Sequence, residues 1–316
     1  MDTKLSIIIV SWNMRNDILN CLRSLYDALS SKAFETIVID NASSDGSVRE
    51  IRKEFPKVKC IDNDSNYGFA KANNQGVKSA KGEYLLFLNP DTIMHSGTLD
   101  CLIDFMDNNK DVGMCGPKLL NDDGSIQRSV RRFPSYRGAL YRFTFLRYFK
   151  IFKNSYRSWL MRDFDYKSQG DVDQLMGAAL LVRKSIMEKQ GGFDERYFMY
   201  YEEVDLCYRI KQNGWRIVYL PQARITHLGG RSSQQVPAAK RIMMLNSMLK
   251  FFRKHHGTVI TFLFNCVLKP GVILREIIDL IVNVSIYFFS ALTLNKKRCD
   301  KLMYKIKNSI KFLCKY

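Results

Sequence analysis

The sequence predicts an α/β chain with a mostly parallel central sheet flanked by helices, followed by a helical, basic C-terminal extension. Three observations carry that expectation. Short β-branched runs alternate with helix-period segments through the first third of the chain; the runs are apolar without polar alternation, as strands buried on both faces are; and a polar loop follows each run.

The first strand is LSIIIV, Leu5 to Val10, and the helix after it sets Ile18, Leu19, Leu22, Leu25, Tyr26 and Leu29 at i, i+3, i+4 spacing. TIVI, Thr36 to Ile39, is the second strand. Val48, Ile51 and Phe55 mark the next helix, with Ser47-x-x-Glu50 as its start signal. VKCI, Val58 to Ile61, and YLLFL, Tyr84 to Leu88, complete the set. The loops SWN, DNASSDGS, DNDSNYGFAKANN and NPDT follow these strands in turn, at the carboxyl ends where open α/β sheets bind ligands. The middle third, RSVRRFPSYRGALYRFTFLRYFKIFKNSYRSWLMR, is basic and aromatic with no clean period, and reads as a mobile loop followed by a helical insertion. A mixed pattern then resumes. It contains a helix from Val204 to Gln212 ended by Gly214, a strand from Arg216 to Leu220, and an amphipathic helix from Pro237 to just before Gly257. With no internal repeat or low-complexity linker, residues 1–257 read as one catalytic domain, and 258–316 as a helical segment for membrane association or oligomerisation.

Charge is unevenly placed. The net +18 is concentrated in Gln127 to Arg162, which carries +10, and Lys240 to Tyr316, which carries +12, leaving the rest slightly acidic. Charge alone attracts nucleic acid and anionic membrane equally. The tail separates the two, because TVITFLFNCVL and IIDLIVNVSIYFFSALTL sit between basic residues, and apolar runs bracketed by lysines suit a bilayer interface rather than a nucleic-acid groove. The second run, residues 277–294, is about long enough to span a bilayer but is interrupted by Asp279, Asn283, Ser285 and Ser290. An interfacial anchor is therefore preferred over a buried or dimer-forming helix, which would make a homo-oligomer, and over a true span. The N-terminus lacks the charge and apolar length of a secretory signal, so the catalytic body is expected in the cytoplasm, peripheral on the inner face of the plasma membrane. Eight scattered cysteines argue against a disulfide framework and a zinc site.

Candidate chemistry lies in the polar loops. Ser11 and Asn13 follow the first strand. Asp40 ends the second and can accept the imide N–H of uracil or thymine; its structural alternative is an Asx turn, with Asp45 or Ser44 capping the helix. Asn66, Gly68, Lys71 and Asn73 lie near the start of another helix, and neither GxxxxGK[ST] nor GxGxxG is present, so a bound diphosphate would need a cation instead of a glycine cradle. Asn89 and Asp91 follow the fourth strand, and Asp91 suits a hard divalent ion beside phosphate oxygens. His227 is a second candidate ligand and favours Mn²⁺ somewhat over Mg²⁺; taken alone it is more often an ordinary hydrogen-bonded histidine. Glu202, Glu203 and Asp205 open a helix, where the macrodipole favours carboxylates and can hold a general base ionised; first-turn acid preference is the structural alternative.

Taken together, SIIIVSWN, IVIDNASSDGS, NYGFAKANN, LFLNPDT, MGAALLVRK, GGFDERYFMYYEEVDLCYRIKQNGWRIVYLP and ITHLGG resemble the family 2 glycosyltransferases of GT-A fold, and most of all the bacterial rhamnosyltransferase-like enzymes of cell-surface polysaccharide synthesis. The resemblance spans about residues 5–257. It implies that Asp40 contacts the nucleotide base, that the Asn66 to Asn73 loop holds the donor, and that Asp91, the final acid of the DXD motif, binds Mn²⁺ or Mg²⁺ on the diphosphate with His227. The motif's first position is Asn89 here. The second acid after the aromatic run is the catalytic base, Glu203 where Asp is usual, so Glu202 stays a candidate. The implied partners are a dTDP- or UDP-sugar donor, a polyprenyl-diphosphate-linked saccharide acceptor and an anionic membrane surface, with no nucleic acid. A nucleotidyltransferase would need a Gly-rich, Arg-containing loop where SWNMRND stands, and a charge-driven scaffold leaves the acids at the strand ends unexplained.

Overall fold

The computed structural model describes residues 3–28, 30–229, 237–293 and 296–316; Leu29 of the first helix pattern, Gly230 of ITHLGG and Leu294 lie outside them. Strands run β1 Leu5–Ser11, β2 Phe34–Asp40, β3 Lys59–Asp62, β4 Tyr84–Leu88, β5 Thr92–Met94, β6 Val112–Leu120, β7 Val130–Arg131, β8 Gly170–Asp171, β9 Gln174–Leu175, β10 Ala179–Arg183 and β11 Arg216–His227. Helices run α1 Arg15–Asp27, α2 Ser47–Glu54, α3 Gly68–Ser79, α4 Thr98–Asn108, α5 Tyr136–Phe143, α6 Lys153–Trp159, α7 Lys184–Lys189, α8 Glu202–Gln212, α9 Pro237–His256, α10 Thr258–Leu292 and α11 Lys296–Lys315.

The chain divides into two compact units, 1–133 with 163–232 and 134–162 with 233–316. In the first, a sheet of order β3-β2-β1-β4-β10-β6-β11-β5 has β8 paired to β11. β1, β2, β3 and β4 are mutually parallel, so their four polar loops emerge at one edge, as the loop positions predict. β10 runs antiparallel to β4 and β6, while β11 is parallel to β6 and antiparallel to β5. One face of the sheet packs Leu5, Ile7, Ile9, Leu86 and Leu88 against Ile18, Leu22 and Leu25 of α1 and Leu99 and Ile103 of α4. α3 covers the other face at close range: a Cβ on Gly76 would stand 2.5 Å from Ile8 Cγ2, so only glycine allows that approach.

Two elements differ from expectation. The strand beginning at Arg216 continues to His227, because its register with β6 shifts between Leu220 and Arg224 and pairing then resumes through Thr226. Ser47 starts α2 but forms no capping box. Gly46, at φ 79°, precedes the helix, Asp45 Oδ1 accepts the Ser47 N–H at 3.0 Å, and the Ser47 hydroxyl instead faces Asp40 Oδ1 at 3.4 Å.

The second unit is helical. The basic aromatic insertion forms α5 and α6, with Ser135 capping α5 by accepting the Gly138 N–H at 3.1 Å. Residues 277–292 belong to the single 35-residue helix α10. Among the described residues, no helix is long and apolar enough to cross a membrane.

Candidate active site

The loops after β1, β2 and β3 lock one another. Asn13, held at φ 51°, donates its N–H to Ser43 Oγ at 2.8 Å, and its Oδ1 accepts the Ser44 N–H at 2.8 Å. Asp40 is buried, and its Oδ2 accepts the Ser43 N–H at 2.7 Å, so the Asx-turn role is realised. Ser11 Oγ is buried and has no hydrogen-bond partner among the described residues. Asn66 Oδ1 accepts the Gly68 N–H at 3.0 Å and turns the chain into α3. Lys71 Nζ stands 3.9 Å over the ring of Tyr67, whose hydroxyl donates to Asp64 Oδ1 at 2.7 Å. Asn73 is buried and bonds back to Phe69 O, a helix-internal role.

Gly68 ties this loop to the acidic segment. Its φ is +80°, and a Cβ there would meet the Phe198 carbonyl oxygen at 2.3 Å. That same oxygen accepts the Phe69 N–H at 2.7 Å, while Asn41 Nδ2 donates to Gly68 O at 3.1 Å. Asn41 and Phe198 lie within the motif segments, but the sequence reading does not single them out; what sets them here is backbone approach.

The NPDT loop and the end of β11 meet at a second focus. Asp91 and His227 are 4 % and 7 % exposed, with Asp91 Oδ1 3.3 Å from His227 Nε2 and Asn89 Nδ2 3.3 Å from the same nitrogen. Behind the ring, His227 Nδ1 pairs with Gln127 Oε1 at 2.6 Å, and Gln127 Nε2 donates to His227 O at 3.1 Å and to Asn121 Oδ1 at 3.0 Å. The Gln127 oxygen calls for a proton on Nδ1, which in the neutral ring leaves the Nε2 lone pair directed at the carboxylate. Two such donor atoms suit cis positions on a small divalent ion, where ligands at about 2.1 Å lie about 3 Å apart. A hard ion completed by diphosphate oxygens and water needs no third protein ligand, and no cluster of three His, Cys, Asp or Glu occurs among the described residues. Gln127 escaped the sequence reading, since a lone glutamine at the edge of a basic run has no spacing that marks it.

The acidic segment is shaped by strain. Tyr200 and Tyr201 both lie in the left-handed region, at φ 70° and 71°, each costing about 1–3 kcal/mol. That turn brings Glu202 and Glu203 onto the first turn of α8. Glu202 is buried, and its Oε2 has no partner among the described residues; Glu203 is half-buried. Burial pushes both carboxyls up, that of Glu202 well above the ordinary range because the neighbouring Glu203 charge adds to it. Glu203 lies beside Gly177, where a Cβ would be 3.6 Å from its side chain. The next residue, Ala178, accepts the Asn89 N–H at 2.9 Å, so the carboxylate and the NPDT loop share one edge of the sheet. Asp205 is structural: its carboxylate accepts Arg209 Nε at 2.7 Å, and Arg209 reaches the carbonyls of Gln190 and Gly192.

Against known proteins, the family model described as Glycosyl transferase family 2 matches residues 6–169. An N-acetylglucosaminyl-diphospho-decaprenol L-rhamnosyltransferase of Mycobacterium tuberculosis is 30% identical over 72% of this chain and 77% of its own. Rhamnosyltransferase WbbL of Escherichia coli is 31% identical over 70% of this chain and 82% of its own. Among solved structures, a mannosyltransferase of Pyrobaculum calidifontis, in complex with GDP-Man and Mn²⁺, aligns with TM-score 0.56 over 99% of this chain and 88% of that one, at 16% identity. GalNAc-T7, with UDP, GalNAc and Mn²⁺, aligns with TM-score 0.54 over 72% of this chain and 44% of that one, also at 16% identity. At that identity the two structures speak for the fold.

Proposed function

The chain belongs to glycosyltransferase family 2, in its rhamnosyltransferase-like branch, and on that premise we propose that it transfers rhamnose from dTDP-rhamnose, with inversion, to a lipid-linked saccharide in surface polysaccharide synthesis such as that of O-antigen or capsule. The observation that carries this reading is the buried Asp91–His227 pair, with Gln127 fixing the ring and Glu203 across the same sheet edge. A Mn²⁺ or Mg²⁺ ion held by Asp91 and His227 would act there as a Lewis acid for charge developing on the leaving nucleoside diphosphate.

The chain's own residues do the rest. Asp40 accepts a pyrimidine imide N–H, and the loops around Ser11, Asn13, Asn66, Gly68 and Lys71 enclose the donor. Glu203 takes the proton of an acceptor hydroxyl as that oxygen bonds to the anomeric carbon and the bond to the diphosphate oxygen breaks. A single displacement inverts that carbon and needs no glycosyl-enzyme intermediate. Exposure favours Glu203 over Glu202 as the base, because Glu202 is buried and burial, with the Glu203 charge beside it, pushes its carboxyl well above the ordinary range. The name of the mycobacterial relative supports a diphospholipid-linked acceptor. An acceptor of that kind would place the protein peripherally at the anionic cytoplasmic leaflet, consistent with the basic second unit.

The test is calorimetric binding of TDP, UDP and GDP with and without Mn²⁺, on the wild type and Asp91→Ala. Metal-dependent binding that prefers TDP, and is lost with transfer in a folded Asp91→Ala protein, is the expected result. Preference for UDP would move the donor to a UDP-sugar, which Asp40 accepts equally. Absence of any diphosphate binding overturns the transferase mechanism.

A further inference from the structure

The second unit holds the basic tail and the part of the first basic stretch from residue 134 on, and within it lies a cavity of about 320 Å³ lined by Arg142, Arg147, Lys240, Arg241 and Arg275. The volume is at the small end of ligand pockets, the size of a headgroup and less than that of a sugar nucleotide. Two carboxylates compensate part of its charge. Arg241 Nη1 donates to the fully buried Glu276 Oε2 at 3.0 Å, and Arg275 Nε lies 3.5 Å from Oδ2 of Asp279, whose Oδ1 accepts the Tyr148 hydroxyl. Neither Arg142 nor Arg147 is paired with a carboxylate among the described residues. Arg142 instead donates to the Met244 sulfur, a weak acceptor, and lies over the rings of Phe143 and Trp159. The crowding is felt by its neighbours: burial and the Arg275 charge push Arg241 down to about 10, and burial with the Arg142 charge lowers Lys240.

We propose that this cavity binds a phosphate or diphosphate group presented by a membrane lipid. Guanidinium forks match phosphate oxygens in pairs, and a dianion neutralises a surplus that a single carboxylate would leave. The lipid source follows from α10. At 100° per residue Arg275, Glu276 and Asp279 share one face with the buried Leu268 and Val272, whereas exposed Ile260, Leu263, Val267, Leu274 and Ile281 lie on the opposite face. Seated by that apolar face, an interfacial helix sinks about 5–10 Å into the headgroup boundary. A pocket one helix diameter away, about 10–12 Å, then opens at phosphate depth. The inference rests on the membrane reading of this unit for the source of the phosphate, and on no feature of the nucleotide site.

The experiment compares full-length protein with Arg142→Gln/Arg147→Gln. Neither arginine has a carboxylate partner, so the change orphans no buried acid; Arg147→Gln alone is the second variant should the loss of Arg142 stacking unfold the unit. Binding is measured to phosphatidylcholine vesicles containing phosphatidic acid, a phosphomonoester, or phosphatidylglycerol, a phosphodiester, at matched surface charge, with and without inorganic pyrophosphate. The expected result is at least tenfold tighter binding to phosphatidic acid, abolished by pyrophosphate and by the variant, while binding to phosphatidylglycerol persists. Equal binding to the two lipids, or a variant that still discriminates, overturns the site. Pyrophosphate binding that requires the arginines without any effect on vesicle binding overturns the lipid source. Calorimetric TDP binding, run on the same variants, is expected to be unchanged whichever way the lipid result falls, so the two proposals fail separately.

Discussion

Gln127 carries one of the two hydrogen bonds that aim His227, and second-layer partners of this kind are typically worth about 10–100-fold in metal affinity. Gln127→Ala is therefore expected to weaken Mn²⁺ binding by that factor, measured by calorimetric titration. The carboxyl pair separates by role. Removing the base with Glu203→Gln is expected to lower kcat by about 10²–10⁴-fold, and Glu202→Gln to leave most of the activity. The raised Glu203 also sets a pH dependence: as pH falls through its elevated pKa the base is protonated, so the acid limb of kcat/KM lies above the ordinary carboxylate range. Glu202 acts on stability with the opposite sign to a salt-bridged acid. Its carboxyl is raised in the folded state, so the folded protein loses stability as pH rises above about 4.3, the ordinary value, toward the elevated one. Glu202→Gln is thus expected to raise Tm at pH 8, corresponding to about 1–3 kcal/mol, with the gain vanishing near pH 4; no difference at pH 8 would refute the assignment.

The junction between the start of α3 and the chain before α8 is an element-scale device, because one carbonyl, that of Phe198, both accepts the Phe69 N–H and abuts Gly68. Gly68→Ala meets a positive φ and a backbone oxygen at once, and is expected to cost more than about 1 kcal/mol in denaturant unfolding and to weaken TDP binding. Element positions were readable where period was strong: β4 spans Tyr84–Leu88, and α1 carries its apolar stripe through Ile18, Leu19, Leu22 and Leu25. The length of β11 was not, since its register shift near Pro221 interrupts the local pattern while cross-strand bonds to β6 continue the strand. α10 shows the same limit, for its apolar runs read as separate segments although one helix holds them on an outer face. Replacing Phe262, Leu263 and Val267 on that face with Ser is expected to cut vesicle co-sedimentation at least tenfold, given about 1.5–3 kcal/mol per buried large apolar side chain, without altering TDP binding.

For the whole molecule, the tail and most of the first basic stretch, residues 134–162, fall in the same compact unit although about eighty residues separate them in sequence. Vesicle binding is therefore expected to fall steeply between 0.05 and 0.5 M salt, as charges on an exposed surface are screened, whereas nucleotide binding in the buried Asp91 site changes little. The sequence by itself determined the order of elements, the parallel core, the placing of four polar loops at one sheet edge and the residue types gathered there, because hydrophobic period and turn chemistry are local. It also determined the family, through motifs that recur in order along the chain. Only the tertiary structure decided that Gln127 stands behind His227, that Glu202 is buried while its neighbour is half-exposed, that Asp205 serves Arg209, and that Arg142, Arg147, Lys240, Arg241 and Arg275 line one cavity. Apart from the Asp205–Arg209 pair, which lies within one helix, these depend on contacts between segments far apart in sequence, and burial and pairing, which set charge state and affinity, exist only once those segments have packed.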